Sequence, residues 1–371
     1  MTPHKQRLGR LREALARDRI DAALVTHPTS IRYLTGFTGS AGLLLVLPEE
    51  SHLLTDGRYR EQAPLQVRDS SIHIDLPNAA QSAAQRPENG LPGLLQSLEL
   101  IPAGLNIAFE ADSLSVARFE QIERLFPAAR WTGQSGTISG LAMRKDPAEL
   151  QALRSAIRIT DEAFGSFLND IRAGAVEREL AGRLSYLLRM HGAEKDSFEP
   201  IVASGWRGAL PHARSTDKVL QEGDFLVLDF GAVYDGYHAD MTRTVCIGSL
   251  TERHEQIYGI VLEAQLQGIA AVRAGQRTRD VDAACRDIIQ AAGYGEQFVH
   301  GTGHGIGLEV HTPPRLSRES DEVLEADMVV TIEPGIYIEG WGGVRIEDDV
   351  LVLPDGSSPL NQSTKELLVL G

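Results

Sequence analysis

Cysteine is scarce in this chain: 371 residues carry two, Cys246 in a strand-like run and Cys285 in a helical one. That excludes a disulfide framework and thiolate-rich structural zinc, and it leads us to expect buried free thiols in a reducing compartment, the cytoplasm. Long apolar runs are missing as well. No stretch reaches the roughly 18 residues of a membrane-spanning helix. The first residues, MTPHKQRLGRLREALARDRIDAALV, space their apolar side chains helically among charges, so a mature surface helix is expected there and not a signal peptide. Positive charge is in deficit, with a formal net charge of −15. Neither nucleic acid nor an anionic membrane is drawn to such a surface, and no partner of either kind is expected. The HExxH zinc motif is absent, and the glycine-rich stretch at 301–307 lacks the spacing of a dinucleotide or P-loop fingerprint.

What remains describes a globular protein, with 42% apolar and 23% charged residues. Its length favours two domains. Residues 1–142 alternate helix and strand signals: a helix through Arg17, then strands at DAALVT, GLLLVLP, HLLTDGRY and NIAFE, with loops around Pro87 to Pro92 and Ile101 to Gly104. A small α/β domain is expected. The texture changes at 143, where a second domain, 143–371, is expected to begin. Asp146-Pro147-Ala148-Glu149 reads as a helix start with an aspartate cap, proline at the first helical position and an acidic residue at the third. Leu150, Leu153, Ile157, Phe164, Phe167 and Ile171 then mark one apolar face.

The second domain repeats itself. Arg172-Ala173-Gly174 recurs as Arg273-Ala274-Gly275, and Gly192 as Gly293, both displaced by 101 residues. With a drifting offset His212 pairs with His311, Asp229 with Glu333, and Asp240 with Glu347. A duplication about a pseudo-two-fold axis is expected, with side chains of equivalent strands meeting at that axis.

Asp229, Asp240, His304, Glu333 and Glu347 each lie in or beside a short apolar run: LVLDFGA, GYHADMTRT, HGTGHGIGLEVH, VVTIEPGIYI and GVRIEDDVLV. A carboxylate buried alone costs several kcal/mol, so four pointing inward require cations. Four oxygen donors with one imidazole suit Mn²⁺, Co²⁺ or Zn²⁺. Asp235-Gly236 signals a tight hairpin that would bring Asp229 and Asp240 together. Arg345 and Glu347, two residues apart, would project from one strand face, so that Arg345 orients an acidic ligand. The glycines around His304 would permit backbone crowding near an ion or substrate. His212 and His311 read as substrate-facing or outer groups, and His300 and His238 as structural.

At this point the sequence resembles a family. The runs IVASG…ALPH ending at His212, LDFGAVYDGYHADMTRT, HGTGHGIGLEVHT, IEPGIY and GVRIEDD are similar to those of the creatinase, aminopeptidase P, prolidase and methionine aminopeptidase superfamily, the pita-bread metallopeptidases. TSIRYLTGFTGS and LLTDGRYREQA resemble the domain that precedes the catalytic one in aminopeptidase P and prolidase. The resemblance implies an α/β protein: an N-terminal creatinase-like α/β domain and a C-terminal pita-bread α+β domain with the internal duplication. It implies two divalent ions, Mn²⁺ first with Co²⁺ or Zn²⁺ as alternatives. Asp229 would hold one, His304 and Glu333 the other, and Asp240 and Glu347 would bridge them. It further implies Glu333 as proton shuttle, His212 and His311 around the oxyanion, a proline-containing peptide substrate and a homodimer. Creatinases keep the fold without the metal ligands, so the intact set argues against a metal-independent hydrolase or a non-catalytic binding protein. Trp206-Arg207 and Ala213-Arg214 depart from the pattern on the substrate side. The segment GWRGALPH is closer to short bacterial aminopeptidases P, so Xaa-Pro aminopeptidase activity is expected, with Xaa-Pro dipeptidase as the alternative.

Overall fold

The computed structural model describes residues 2–76 and 90–371. They form two compact units, Met1–Ala142 and Met143–Gly371. In the first, a six-stranded mixed sheet runs in the spatial order Ser71–Asp75, Ser51–Asp56, Gly42–Val46, Ala22–Val25, Asn106–Glu110 and Arg130–Gln134. The opening helix, Pro3–Arg17, buries Leu8, Leu11 and Leu15 along one stripe. The loop expected around Pro87 to Pro92 falls partly at 87–89, outside the described residues. From Gly90 the chain is instead helical to Ser97, with Pro92 early enough in the helix for its missing N–H to cost nothing. No helix among the described residues is long and apolar enough to cross a membrane.

The second unit opens on a full capping box. Asp146 Oδ1 accepts from the backbone N–H of Ala148 and Glu149, and Glu149 Oε2 accepts from Asp146 N at 3.0 Å. This starts the helix Pro147–Phe167, whose Leu153, Ile157, Phe164 and Phe167 are buried as the periodicity predicts. Each such side chain contributes roughly 1.5–3 kcal/mol on leaving water.

The repeat is visible in the backbone. Helices Pro147–Phe167 and Glu177–Met190 precede the strands Ile201–Ser204, Phe225–Phe230 and Met241–Ile247. Helices Glu252–Ala271 and Thr278–Ala291 precede Gly303–Gly305, Val329–Ile332 and Asp348–Leu353 in the same arrangement, the last two strands antiparallel in each half. Even the connections match: Gly174 N–Leu220 O and Leu220 N–Ala175 O recur as Gly275 N–Leu324 O and Leu324 N–Gln276 O, all at 2.8–2.9 Å. Gly174 and Gly275 adopt φ of 87° and 85°, a left-handed conformation that explains why both copies keep glycine. Leu180, Leu184, Leu226, Leu228 and Phe230 lie in the first half's core, and Val281, Cys285, Ile289, Val330 and Ile332 in the second's.

Asp235 and Gly236 both have positive φ, 46° and 74°, and link Val233–Tyr234 to Tyr237–His238 as a two-residue turn of the primed type. The chain then returns so that Met241–Ile247 pairs along the whole of the fully buried strand Phe225–Phe230. Gly231 makes this possible, because a Cβ there would stand 1.8 Å from Ala239 O.

Gly268 lies where helix Glu252–Ala271 packs closely on its neighbours: a Cβ would meet Cys285 Sγ at 2.3 Å and Ile332 Cγ2 at 2.9 Å. Gly268→Ala is therefore expected to destabilise the protein by about 1–3 kcal/mol through overpacking. Gly259→Ala, in open space on the same helix, is expected to be neutral or to stabilise by about 0.5–1 kcal/mol. Chemical denaturation of the two variants side by side checks both.

Candidate metal centre

The eight residues singled out in the sequence, Asp229, Asp240, His304, Glu333, Glu347, Arg345, His212 and His311, all line one cleft of about 1000 Å³ in the second unit. Strand geometry brings them there. Asp229 is the penultimate residue of its strand, and Asp240 immediately precedes the antiparallel partner. The register sets Thr242 directly opposite Asp229, which leaves Asp240 two residues away on the same face. In the second half Glu333 follows Val329–Ile332, and Glu347 precedes Asp348–Leu353. Arg345 closes the strand Gly342–Arg345, so Glu347 stands just beyond that strand and not within it.

Three of the four carboxylates have one oxygen held by a protein donor. Asp229 Oδ2 accepts from Arg345 Nη2 at 2.6 Å, Glu347 Oε2 from Thr242 Oγ1 at 2.6 Å, and Glu333 Oε1 from Thr331 Oγ1 at 3.2 Å. Asp240 is held through its backbone N–H, which donates to Asp349 Oδ2 at 3.0 Å. The other oxygens of Asp229 and Glu347, and Asp240 Oδ1, are buried with no hydrogen-bond partner. Such orphaned oxygens are costly and mark places where a cation fits. Potential ligand atoms of Asp240, His304 and Glu347 lie within 4.8 Å of one another. His304 Nδ1 donates to Gly305 O at 3.0 Å, which fixes the tautomer and leaves the Nε2 lone pair facing Glu333 Oε1 at 3.4 Å and Asp240 Oδ2 at 3.8 Å.

The electrostatics agree with a cation site. Burial, reinforced by Glu347, Asp229 and Glu333, pushes the Asp240 carboxyl well up. Burial and the neighbouring acids do the same to Glu347, and burial takes Glu333 to about 8 against the pull of Arg345. Burial also lowers His304 to about 4. Its imidazole is neutral at physiological pH, so its short approaches to Glu333 and Asp240 are those of ligand atoms, not of ion pairs.

The glycines around His304 admit close backbone. A Cβ at Gly303 would come within 1.9 Å of Thr331 O, and one at Gly305 within 2.1 Å of Pro313 O. The crowding comes from the flanking strands that pack on either side of His304. His300, read as structural, also lines the cleft, and its Nε2 meets the Tyr337 hydroxyl at 2.8 Å. That hydroxyl accepts from Arg345 Nη1 at 2.7 Å, so a chain of contacts runs from Asp229 to His300. Thr242 and Tyr337 carried no signal in the sequence beyond their place in the motifs that hold Asp240 and Glu333.

Residues 151–354 match the model of metallopeptidase family M24. The chain belongs to that family. Residues 7–143 match the creatinase/prolidase N-terminal domain. Family M24 membership, the N-terminal match and the duplicated second unit agree with the α/β creatinase-like and pita-bread architecture expected above. A solved Xaa-Pro dipeptidase from Bacillus anthracis is 40% identical, with a TM-score of 0.91 over 99% of this chain and 100% of that one. The Xaa-Pro dipeptidase of Pyrococcus furiosus is 34% identical over 98% of this chain and 100% of its own length. An X-Pro aminopeptidase structure from Thermotoga maritima is 35% identical, with a TM-score of 0.87 over 98% of this chain and 99% of that one. As an M24 metallopeptidase the protein is a hydrolase that binds divalent metal, and the orphaned carboxylate oxygens fit that chemistry.

Metal removal has a pH signature. The fold holds Glu333 above its ordinary value of 4.5, at about 8. Metal-free folded protein therefore binds more protons than unfolded chain across that window, and its stability falls as pH rises through it. Divalent ions replace those protons. The melting temperature of chelator-treated protein is expected to drop between pH 5 and pH 8, and added Mn²⁺ should raise it more at pH 8 than at pH 5. Scanning calorimetry decides; a chelated protein that gains stability over this range would contradict the assignment.

Proposed function

We propose that the protein is a Mn²⁺-dependent Xaa-Pro dipeptidase that cleaves the bond before proline. The names of its relatives favour the dipeptidase alternative over the aminopeptidase activity expected from the segment around His212. The observation in the cleft that supports it most is Arg315. It lies directly across the strand pair from His304, exposed and lining the same cleft. Directly opposed residues share a sheet face, so a guanidinium stands beside the candidate metal residues, where the free carboxylate of a dipeptide would lie.

In this reading Asp229, Asp240, His304, Glu333 and Glu347 hold two divalent ions, which when bound supply Lewis acidity toward the scissile carbonyl and toward water. The remaining work falls to side chains. The amide before proline has no N–H, and its nitrogen must gain a proton to leave. Glu333, at the ligand cluster with its Oε1 3.4 Å from His304 Nε2, is the carboxyl assigned here to carry that proton. His311 packs edge-on to His304 with ring centroids 4.4 Å apart, and burial lowers its pKa, so it faces the substrate as a neutral donor. His212 on the cleft wall supplies a second donor toward the developing oxyanion. Arg345 keeps Asp229 aimed inward. A homodimer and a cytoplasmic location belong to the same reading, the second supported by two buried free thiols.

Glu333→Gln is expected to lower kcat by about 10²–10⁴ with little change in KM, and a variant with native kcat would remove Glu333 from proton transfer. Mn²⁺-loaded protein given matched Xaa-Pro and Xaa-Pro-Xaa peptides should cleave the dipeptide preferentially by mass spectrometry. Arg315→Gln should raise KM for the dipeptide and spare the tripeptide; preference for the tripeptide would restore the aminopeptidase reading.

A further inference from the structure

We infer that Glu177 is a positioning residue: a buried carboxylate heading helix Glu177–Met190 that holds the segment 204–216 in the shape that presents His212 to the cleft. The inference rests on the proposed contact of His212 with substrate. Glu177 is fully buried, yet its nearest partners belong neither to its own helix nor to the ligand cluster. Oε1 accepts from Ser204 N at 2.8 Å and Ser204 Oγ at 2.9 Å. Oε2 accepts from Arg207 Nε at 3.0 Å, Thr216 N at 3.2 Å and Thr216 Oγ1 at 3.0 Å. One carboxylate thus ties both ends of the segment together, and Arg207 crosses its middle by also donating to Arg214 O. Removing one partner of a buried ion pair leaves an uncompensated charge, so the knot is made or broken as a unit.

The outer side of the segment is fixed by backbone contact. A Cβ on Gly343 would lie 2.0 Å from Gly208 O, so the segment lies directly on the strand that ends in Arg345. Between the two attachments Pro211, His212, Ala213 and Arg214 line the cleft, while the His212 side chain makes no hydrogen bond to another described residue that would hold it there. Its place is inherited from the segment.

The test uses full-length, Mn²⁺-loaded protein carrying Arg207→Met, and separately Thr216→Val, which removes one donor without stranding a charge should the first variant fold poorly. Each is made in the native and His212→Ala backgrounds. Arg207→Met is expected to lower kcat/KM for an Xaa-Pro dipeptide about tenfold in the native background and less than about twofold beside His212→Ala, because coupled residues are not additive. Thr216→Val should give the same pattern with a smaller loss. Amide hydrogen exchange should rise over 205–216, with bound Mn²⁺ per chain unchanged. Equal losses in the two backgrounds, unchanged exchange, or loss of Mn²⁺ overturn the positioning role. If native protein cleaves no Xaa-Pro peptide with any metal, the functional reading fails instead, and exchange then decides the knot alone.

Discussion

Four carboxylates forced toward one buried point repel one another and lose their hydration, and the rest of the second unit is arranged around that cost. Protons or divalent cations relieve it; side-chain hydrogen bonds alone do not, since Arg345, Thr242 and Thr331 each engage one oxygen and leave buried oxygens of Asp229, Asp240 and Glu347 without partners. What these neighbours supply is direction. Arg345 is the most connected of them, bonded to Asp229, Thr242 and Tyr337 at once. Behind it Arg243, also buried, holds Asp348 and the carbonyl of Glu347, and so fixes the backbone that carries the last ligand candidate.

Duplication explains how a chain of ordinary strands and helices can gather such a cluster. Each half supplies one acidic residue at the end of a strand and another at the head of its antiparallel neighbour, so bringing the halves together brings the acids together. Each half also has a buried charged knot near the start of its second helix. In the first it is Glu177 with Arg207. In the second, Asp282 accepts from the backbone and hydroxyl of Thr302, while Arg286 pairs with Asp282 and donates to the carbonyls of Phe298 and His300. The two knots are not copies: Asp282 lies a turn deeper in its helix than Glu177. They solve the same problem, anchoring the loop that leads to a cleft histidine.

Much of this was legible in the sequence because its causes are local. The Asp-Gly turn, the capping box at Asp146, the paired Arg-Ala-Gly repeats and the apolar runs around each acid all depend on neighbours a few residues away. What could not be read depends on distant partners. The glycines flanking His304 signal close backbone approach, but that Thr331 and Pro313 are the partners shows only in the fold. Glu347 seemed to share a strand with Arg345, but the ladder ends between them. His300 reads as structural, but that its partner is Tyr337 shows only in the fold. The leaning between dipeptide and longer peptide has a similar origin: the segment around His212 is read by its likeness, whereas Arg315 comes to face His304 only through strand pairing.

The duplication is broken where chemistry requires it. The strand that flanks Asp229 is Ile201–Ser204, and the one that flanks the Glu333 strand is Gly303–Gly305. The first is apolar, while the second carries His304, so an imidazole enters from one side only. Arg345 likewise reaches Asp229 directly, whereas the imidazole beside Glu333 is neutral and brings no charge. The cluster therefore has two unlike ends. At one, a guanidinium is bonded directly to a carboxylate. At the other, burial outweighs the more remote pull of the same guanidinium and lifts Glu333 to about 8 in the metal-free protein, so this carboxyl gives up a proton when a divalent ion binds. A symmetrical dimer of ancestral halves would have had two equivalent ends. An imidazole beside Glu333 and a guanidinium bonded to Asp229 make the two ends of the cluster chemically distinct, although each half builds its end from an equivalent pair of strands.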